Sequence, residues 1–537
     1  MILPIPTTDE KYNYIAPMGI MHKPLIILSF FSWMLLLYGF FLAFKHNPIY
    51  LGTFGVMIIF IASFLLVSNF ISFFYKNFDK KNHLEKVENF WKSHKYSAAK
   101  IDILLPICGE DFEVVKNTWI GVANLAERYP GQVSVYVLDD KGLTSNEILA
   151  AEFSFNYISR PNKGEMKKAG NLNHGLKQTN GDFIVILDAD FRPHMDFIHE
   201  LLPYMENEKV AIVQSPQYFE LSEQIHKQSM LQYGAANIQE YFYRIIQRSR
   251  GAFDGSICVG SNAIYRRDAL NTIGGTALKE HSEDVWTGFK LLNKGWKIQY
   301  LPLILAKGTC PDDLYSFFKQ QTRWCSGSLS LLTSQEFWKS NLPLRTKVPY
   351  FSGFMYYISN PLMLFLPFQN FVLLWDPHVT SDSTVLFFTP SIFISTTLLL
   401  FYVYPKAKLG TLLAHNSAVW SYTYAILGKL FGRVEMWQPT GGKNKLTRGF
   451  KIVTALSSAY ILGYLYLLFI TIKAGKIELS PQYALVILWI CINLFVQTLF
   501  VSNVWKYIIH RYSSEINGFF NKFKMHRIEK GLQYVKA

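Results

Sequence analysis

Two groups of long apolar runs, one at each end of the chain, enclose a middle region that holds most of the charged residues. Runs of this kind leave few folds open. About 20 apolar residues rising about 1.5 Å each as a helix span the roughly 30 Å hydrocarbon core of a bilayer, with every backbone hydrogen bond made internally. The first run covers residues 24–44, from Pro24 to Phe44 between Lys23 and Lys45, and the second covers 49–75. Four more spans are expected near 349–375, 384–404, 451–473 and 483–505. The first run is longer than a signal-peptide core and no small-residue cleavage site follows it, so it reads as a retained helix.

Charge sets the orientation. The 537 residues carry a net charge of +14, although only 17% are charged and half are hydrophobic. In a soluble chain so basic a balance points to nucleic acid, but no nucleic-acid motif accompanies it. In a membrane chain lysine and arginine hold loops against anionic lipid. Segment 76–100 carries Lys76, Lys80, Lys81, Lys86, Lys92 and Lys95. Segment 405–450 carries Lys406, Lys408, Lys429, Arg433, Lys443, Lys445 and Arg448 against Glu435, whereas loop 376–383 has Asp376 and Asp382 and no basic residue. The positive-inside rule then predicts six spans, with the middle domain, the 405–450 loop and both termini cytosolic. Cys108, Cys258, Cys310, Cys325 and Cys491 are odd in number and form no C-x-x-C pair. They predict neither a disulfide framework nor structural zinc, as expected in a reducing compartment.

Four segments follow: an N-terminal tail with two spans (1–99), a globular domain (100–335), an interfacial and four-span region (336–505) and a basic tail (506–537). Residues 409–432, apolar but broken by His415, Asn416, Ser417 and Lys429, are expected to form an amphipathic helix on the membrane surface, and so is 329–345; the alternative is a span fragment or loop. In the domain, Ile101–Pro106, Val133–Asp140, Phe183–Asp190, Val210–Gln214 and Trp296–Leu301 read as strands, with helices over Val114–Arg128 and Glu165–Gln178. Continuous apolar strands alternating with helices predict a mainly parallel sheet covered on both faces, with ligands beyond the carboxyl ends of the strands.

Acids sit at those ends. Asp188-Ala189-Asp190 closes an apolar strand; alternate strand residues share a side, so both carboxylates can face one cleft and hold a divalent cation through oxygen. Asp139-Asp140 ends another strand and taken alone reads as a polar turn. Lys168 opens a helix as a point charge for a diphosphate or as a solvated lysine. Ser282-Glu283-Asp284 starts a helix, with Ser282 as N-cap, acids complementing the dipole, and Asp284 in position to act as a general base. Gln320, Arg323 and Trp324 share one helix face at i, i+3 and i+4. Arginine suits phosphate and tryptophan suits sugar faces, although a membrane-surface helix would use the same pair.

With these residues the chain resembles the processive family-2 glycosyltransferases, and among them the cellulose synthase-like bacterial β-glucan synthases. The family's D-D, D-x-D, E-D and Q-x-x-R-W motifs stand here as Asp139-Asp140, Asp188-Ala189-Asp190, Glu283-Asp284 and Gln320-Gln-Thr-Arg323-Trp324. Lys168-Ala-Gly-Asn-Leu-Asn173, Val213-Gln-Ser-Pro216 and Val259-Gly-Ser-Asn-Ala-Ile-Tyr-Arg-Arg267 also match. The resemblance implies a Rossmann-like GT-A domain inserted between transmembrane helices, and a single inverting displacement from a UDP-sugar, UDP-glucose favoured. It implies that Glu110, Asp139 and Asp140 hold uridine. Asp188 and Asp190 bind Mg²⁺ or Mn²⁺ and the diphosphate. Lys168 and Arg323 neutralise the leaving UDP, and Asp284 beside Glu283 is the base. Trp324, Gln320, Cys258 and Val259 support the acceptor, a growing polysaccharide. Trp437-Gln-Pro-Thr440-Gly-Gly-Lys443 resembles the family's gating loop with Trp for Phe, a departure also compatible with a mixed 1,3;1,4 linkage. The tail is shorter than the cyclic di-GMP-binding domain of many bacterial cellulose synthases, and a surface-lying basic helix is expected instead. The expected setting is a multi-pass plasma membrane protein with lipid and accessory subunits as neighbours and no nucleic acid. A lipid-glycosylating enzyme, a synthase using UDP-N-acetylglucosamine, and an inactive scaffold or transporter are the competing readings; the last predicts damaged acidic motifs, and all four motifs are intact.

Overall fold

The computed structural model describes residues 6–7, 9–15, 22–45, 48–93, 99–220, 229–375, 391, 394, 408–432, 446–477 and 481–535. Its strands are β1 (Ile101–Ile107), β2 (Val133–Asp139), β3 (Asn156–Ile158), β4 (Phe183–Ile186), β5 (Arg192–Pro193), β6 (Val210–Gln214), β7 (Tyr218–Phe219), β8 (Ala263–Arg266), β9 (Lys297–Tyr300) and β10 (Ala306–Gly308). Seven of them form one sheet in the order β3-β2-β1-β4-β8-β6-β9. Neighbours run parallel except around β8, which is antiparallel to both β4 and β6. This mixed sheet with helices on both faces is a Rossmann-like GT-A architecture.

The strands are apolar throughout because both faces are covered. On one face Ile103, Leu105, Val137 and Val185 pack with Trp119, Val122 and Leu125 of helix Phe112–Arg128. On the other, Leu104, Leu138, Ile184 and Ile186 pack with Leu172, Trp286 and Phe289. Trp119 is wholly buried, and its truncation to alanine would cost about 3–5 kcal/mol. The one acid inside β1, Asp102, accepts from Arg267 at 2.8 Å, so its buried charge is paired.

A second sheet, β5-β10-β7, is too short to leave a periodic signature in the sequence. It lies between the acidic turn after β4 and helix Leu314–Leu332, and the N-terminal segment closes over it. The Ile304 amide donates to Lys11 O at 3.0 Å. Buried Lys307 pairs with Glu10 at 2.7 Å and Glu220 at 2.9 Å. Tyr14 meets Tyr218 edge-on with centroids 5.5 Å apart. Lys11 pairs with buried Glu200, to which His83 of helix Lys80–Lys92 also bonds at 2.7 Å.

Five helices among the described residues are long and apolar enough to cross a membrane: His22–Leu42, Gly52–Phe73, Leu344–Trp375, Arg448–Lys473 and Val486–Ser513. The expected span at 384–404 lies outside the described residues, residues 391 and 394 apart. Three expectations change. Helix Leu409–Leu430 does not lie on the membrane with its polar face in water. Its polar residues Asn416, Ser417 and Ser421 are buried, because the helix packs between Met230–Tyr241 and Leu314–Leu332. Asn416 bonds Gln497 at 3.2 Å and Thr411 donates to Asn237 at 3.3 Å. Segment 329–345 rests on the domain through Phe337, buried against Phe289 and Tyr350, while Trp338 faces outward. The basic tail is no separate surface helix; it continues one helix that runs Pro481–Val535.

Candidate active site

The carboxyl ends of β1, β2 and β4 converge as the parallel pairing requires, and each delivers its acids differently. After β1, Glu110 is half-buried and accepts from the Cys108 amide at 2.6 Å. Burial raises its carboxyl despite that bond. After β2, Asp139 is fully buried and accepts from the amides of Lys141 and Leu143 at 2.8 and 2.9 Å and from Asn146 and Tyr157 at 3.0 Å each. Asp140 takes the guanidinium of buried Arg160 in a two-pronged pair at 2.5 and 2.9 Å and the Gly164 amide at 3.1 Å. Both acids of this pair have their bonds taken up by the protein.

After β4 the arrangement departs from the expected one. The strand stops at Ile186, so Asp188 and Asp190 stand on the turn beyond it rather than on one face of a strand. Other atoms fix that turn. The Asp188 amide donates to Ser261 Oγ at 2.9 Å, and Thr118 Oγ1 donates to Ala189 O at 2.8 Å. Lys168, just inside helix Lys167–Leu176, reaches Asp188 at 2.5 Å, Gly260 O at 2.9 Å and Glu283 at 3.7 Å. Burial works against its charge, but Asp188 and Glu283 outweigh that and hold the ammonium up. Asp190 lies open at the cleft floor with protein crowded around it. That crowding, then repulsion from Asp188 and Glu110, pushes its carboxyl up to about 7.

Glu283 and Asp284 open helix Glu283–Asn293 as predicted, although Ser282 at the N-cap position makes no side-chain cap bond. Asp284 is half-buried and accepts from its neighbour's amide, Val285, at 2.7 Å. Burial, then the adjacent Glu283, raise its carboxyl to about 7, against the opposing charges of Lys168 and Arg323. Gly260, at φ +75°, is pressed against this residue: a Cβ there would lie 2.8 Å from Asp284 Cβ. The dipeptide Gly260-Ser261 thus holds Lys168, Asp188 and Asp284 together.

On helix Leu314–Leu332 the predicted face holds. Gln320, Arg323 and Trp324 are half-exposed on one side, while Gln321 and Cys325 are buried on the other. Gln321 accepts from Tyr422 of helix Leu409–Leu430 at 2.8 Å, which ties the motif to the membrane region. Val259 is half-buried, and its amide donates to Gln214 at 3.2 Å. Cys258 is a correction: its side chain is wholly buried with Sγ 3.3 Å from Tyr265 OH, so it offers an acceptor no side-chain contact. Trp437, Thr440 and Lys443 lie outside the described residues. Arg160, Gly260 and Ser261 were not singled out from the sequence, although the last two lie in the quoted Val259–Arg267 stretch. All five cysteines are free.

Glu110, Asp188, Asp190, Glu283 and Asp284 face only Lys168 and Arg323. No group of three His, Cys, Asp or Glu side chains able to hold a metal occurs among the described residues. Two hard carboxylates with a surplus of negative charge fit a cation of the magnesium type, which takes one or two carboxylates and completes its shell with substrate phosphate and water.

A family model described as "Glycosyl transferase family group 2" matches residues 183–501. The chain is 32% identical over 233 residues to the UDP-forming cellulose synthase catalytic subunit of Komagataeibacter sucrofermentans, covering 43% of this chain and 31% of that protein. It is 33% identical over 232 residues to cellulose synthase 1 of Novacetimonas hansenii, covering 43% and 15%. The match thus spans less than two thirds of either relative. A mannosyltransferase from Pyrobaculum calidifontis, solved with GDP-Man and Mn²⁺, superposes with a TM-score of 0.47 at 13% identity, covering 66% of this chain and 97% of that one.

Proposed function

The chain belongs to glycosyl transferase family group 2, and from that premise we propose that it is a processive inverting transferase that polymerises glucose from UDP-glucose into a β-glucan, with 1,4 or mixed 1,3;1,4 linkage, and passes the product across the plasma membrane from a cytosolic catalytic domain. The observation that carries the reading is the shared backing of the two halves of the cleft. Lys168 and Asp188 on the donor side, and Asp284 on the acceptor side, meet on Gly260-Ser261.

In the reaction Asp284 accepts the proton of an acceptor hydroxyl as its oxygen bonds to the anomeric carbon. The bond from that carbon to the donor phosphate oxygen breaks, and its electron pair leaves with UDP. A carboxyl raised to about 7 is a stronger base than an ordinary aspartate and is still half ionised near neutrality. Lys168 and Arg323 carry the charge that develops on the leaving diphosphate. Asp188 and Asp190 would hold Mg²⁺ or Mn²⁺, which supplies further charge neutralisation there. Glu110 borders the donor side, with Asp139 and Asp140 shaping the uridine pocket through the turn that they brace. Gln320, Trp324 and Val259 border the acceptor, and Trp437, Thr440 and Lys443 form the loop that closes over the donor.

The test is UDP release by the purified full chain in detergent with Mg²⁺ or Mn²⁺, comparing UDP-glucose with UDP-N-acetylglucosamine, followed by digestion of any polymer with linkage-specific glucanases. Release with UDP-glucose that is lost in Asp284→Asn, with a polymer cut by such an enzyme, is the expected result. Release without polymer would shift the reading to a lipid acceptor, and release only with UDP-N-acetylglucosamine would overturn the donor.

A further inference from the structure

The helix that begins with Glu283 and Asp284 has a second cleft against its far end, of about 590 Å³ and open to the side. Three lysines line it: Lys290 and Lys294 at the end of that helix, and Lys339 beyond helix Gln335–Trp338. The single acid among the lining residues is Glu336. None of the three lysines forms an ion pair among the described residues; Lys339 only donates to Gln335 at 3.3 Å.

The cleft lies at the level where the membrane begins. Leu344 starts a membrane-length helix three residues after Asn341, which lines the cleft. Lys347, on the first turn of that helix, donates to Ser340 O at 2.8 Å, and Phe351 packs on Trp338 at 6.1 Å. The end of the helix Gly52–Phe73 stands at the same level. Phe74 meets Phe253 at 5.6 Å, and the next residue, Asp254, pairs with Arg345 at 2.6 Å. Trp338 and Leu344, beside the cleft, are 56% and 76% exposed, an aromatic and an aliphatic side chain of the kind that sits in lipid at an interface.

We infer that this cleft binds the headgroup phosphate of an anionic phospholipid, with the acyl chains running along Trp338, Leu344 and Phe351. Lysine charge without partners, next to apolar side chains at the mouth of a membrane helix, matches an amphiphile with an anionic head and no soluble anion. The ligand bears on the catalytic region through its own wall: Asn341 donates to Asn293 at 3.1 Å, and Phe337 packs on Phe289 at 5.9 Å, both on the helix that carries Asp284. The inference is independent of which sugar is transferred.

Native mass spectrometry of the full chain from nanodiscs of equimolar phosphatidylglycerol and phosphatidylcholine tests it. The chain should retain phosphatidylglycerol in preference. Lys290→Gln/Lys294→Gln/Lys339→Gln should lose that preference by about fivefold for each lysine, the factor equivalent to about 1 kcal/mol per basic residue at an anionic surface. A control with Lys116→Gln/Lys177→Gln/Lys209→Gln should keep it. Should the triple variant fail to fold, Lys294→Glu alone, at an exposed position, gives the same reading. Undiminished retention in the lysine variants, or equal retention of free glycerol phosphate, would overturn the inference.

Discussion

Strands β2 and β4 belong to one sheet and both run out into a pair of aspartates, yet the protein treats the pairs in opposite ways. Asp139 accepts four hydrogen bonds and Asp140 holds Arg160 in a two-pronged pair, so the first pair is consumed in bracing a turn. Asp188 has one lysine, and Asp190 faces other carboxylates at an open cleft floor. Charge that the fold leaves uncompensated is charge available to a ligand, whereas charge that is fully bonded stabilises the fold. The difference is invisible in the spelling of the two motifs.

The sharpest way to break this comparison is to swap its outcomes. Asp188→Asn should lower UDP release by about 10²–10³-fold, the scale of losing one group that stabilises transition-state charge, while the thermal unfolding temperature stays unchanged. Asp140→Ala should do the reverse in kind: it strands Arg160 as a buried unpaired charge and destabilises by about 3–5 kcal/mol in an unfolding titration. If Asp188→Asn unfolds the chain and Asp140→Ala does not, the contrast fails.

A pH profile sharpens it further. With the Asp284 carboxyl raised to about 7, transfer should rise as pH passes through that value and level off above it. Lys168→Ala removes a cation that opposes the rise, so the limb should move alkaline. The stability sign is the opposite. A carboxyl raised in the folded state costs nothing below its unfolded value near about 4 and costs most above about 7, so Asp284→Asn should gain stability at about pH 8 but not at about pH 4. The smallest effect belongs to Arg160→Lys, which keeps the charge and loses one prong: about 1.5–3 kcal/mol, read by the same titration.

The sequence made the large parallel strands and the Gln320–Trp324 face legible because apolar continuity and helical spacing are local signals. It misplaced Asp188 and Asp190 on a strand, since Leu187 continues the apolar run past the last ladder bond at Ile186. It also put the polar residues of Leu409–Leu430 in water, because composition cannot tell a serine facing solvent from Ser417 and Ser421 bonding back to their own helix at 2.7 Å in a buried seam. The pairing of Arg160 with Asp140, and of Lys307 with Glu10, joins residues far apart in the chain and leaves no pattern at all.

That last contact also counts membrane crossings. Glu10 touches Lys307, and helix Lys80–Lys92 grips the same domain through His83, so residues on either side of the first two apolar helices stand on one side of the bilayer. The number of passages between them must be even, which makes His22–Leu42 and Gly52–Phe73 a hairpin by parity alone, whatever the loops' charges say. During synthesis the strap emerges first and its lysine partner 297 residues later. The strap therefore waits at the membrane surface until the domain it closes has been made.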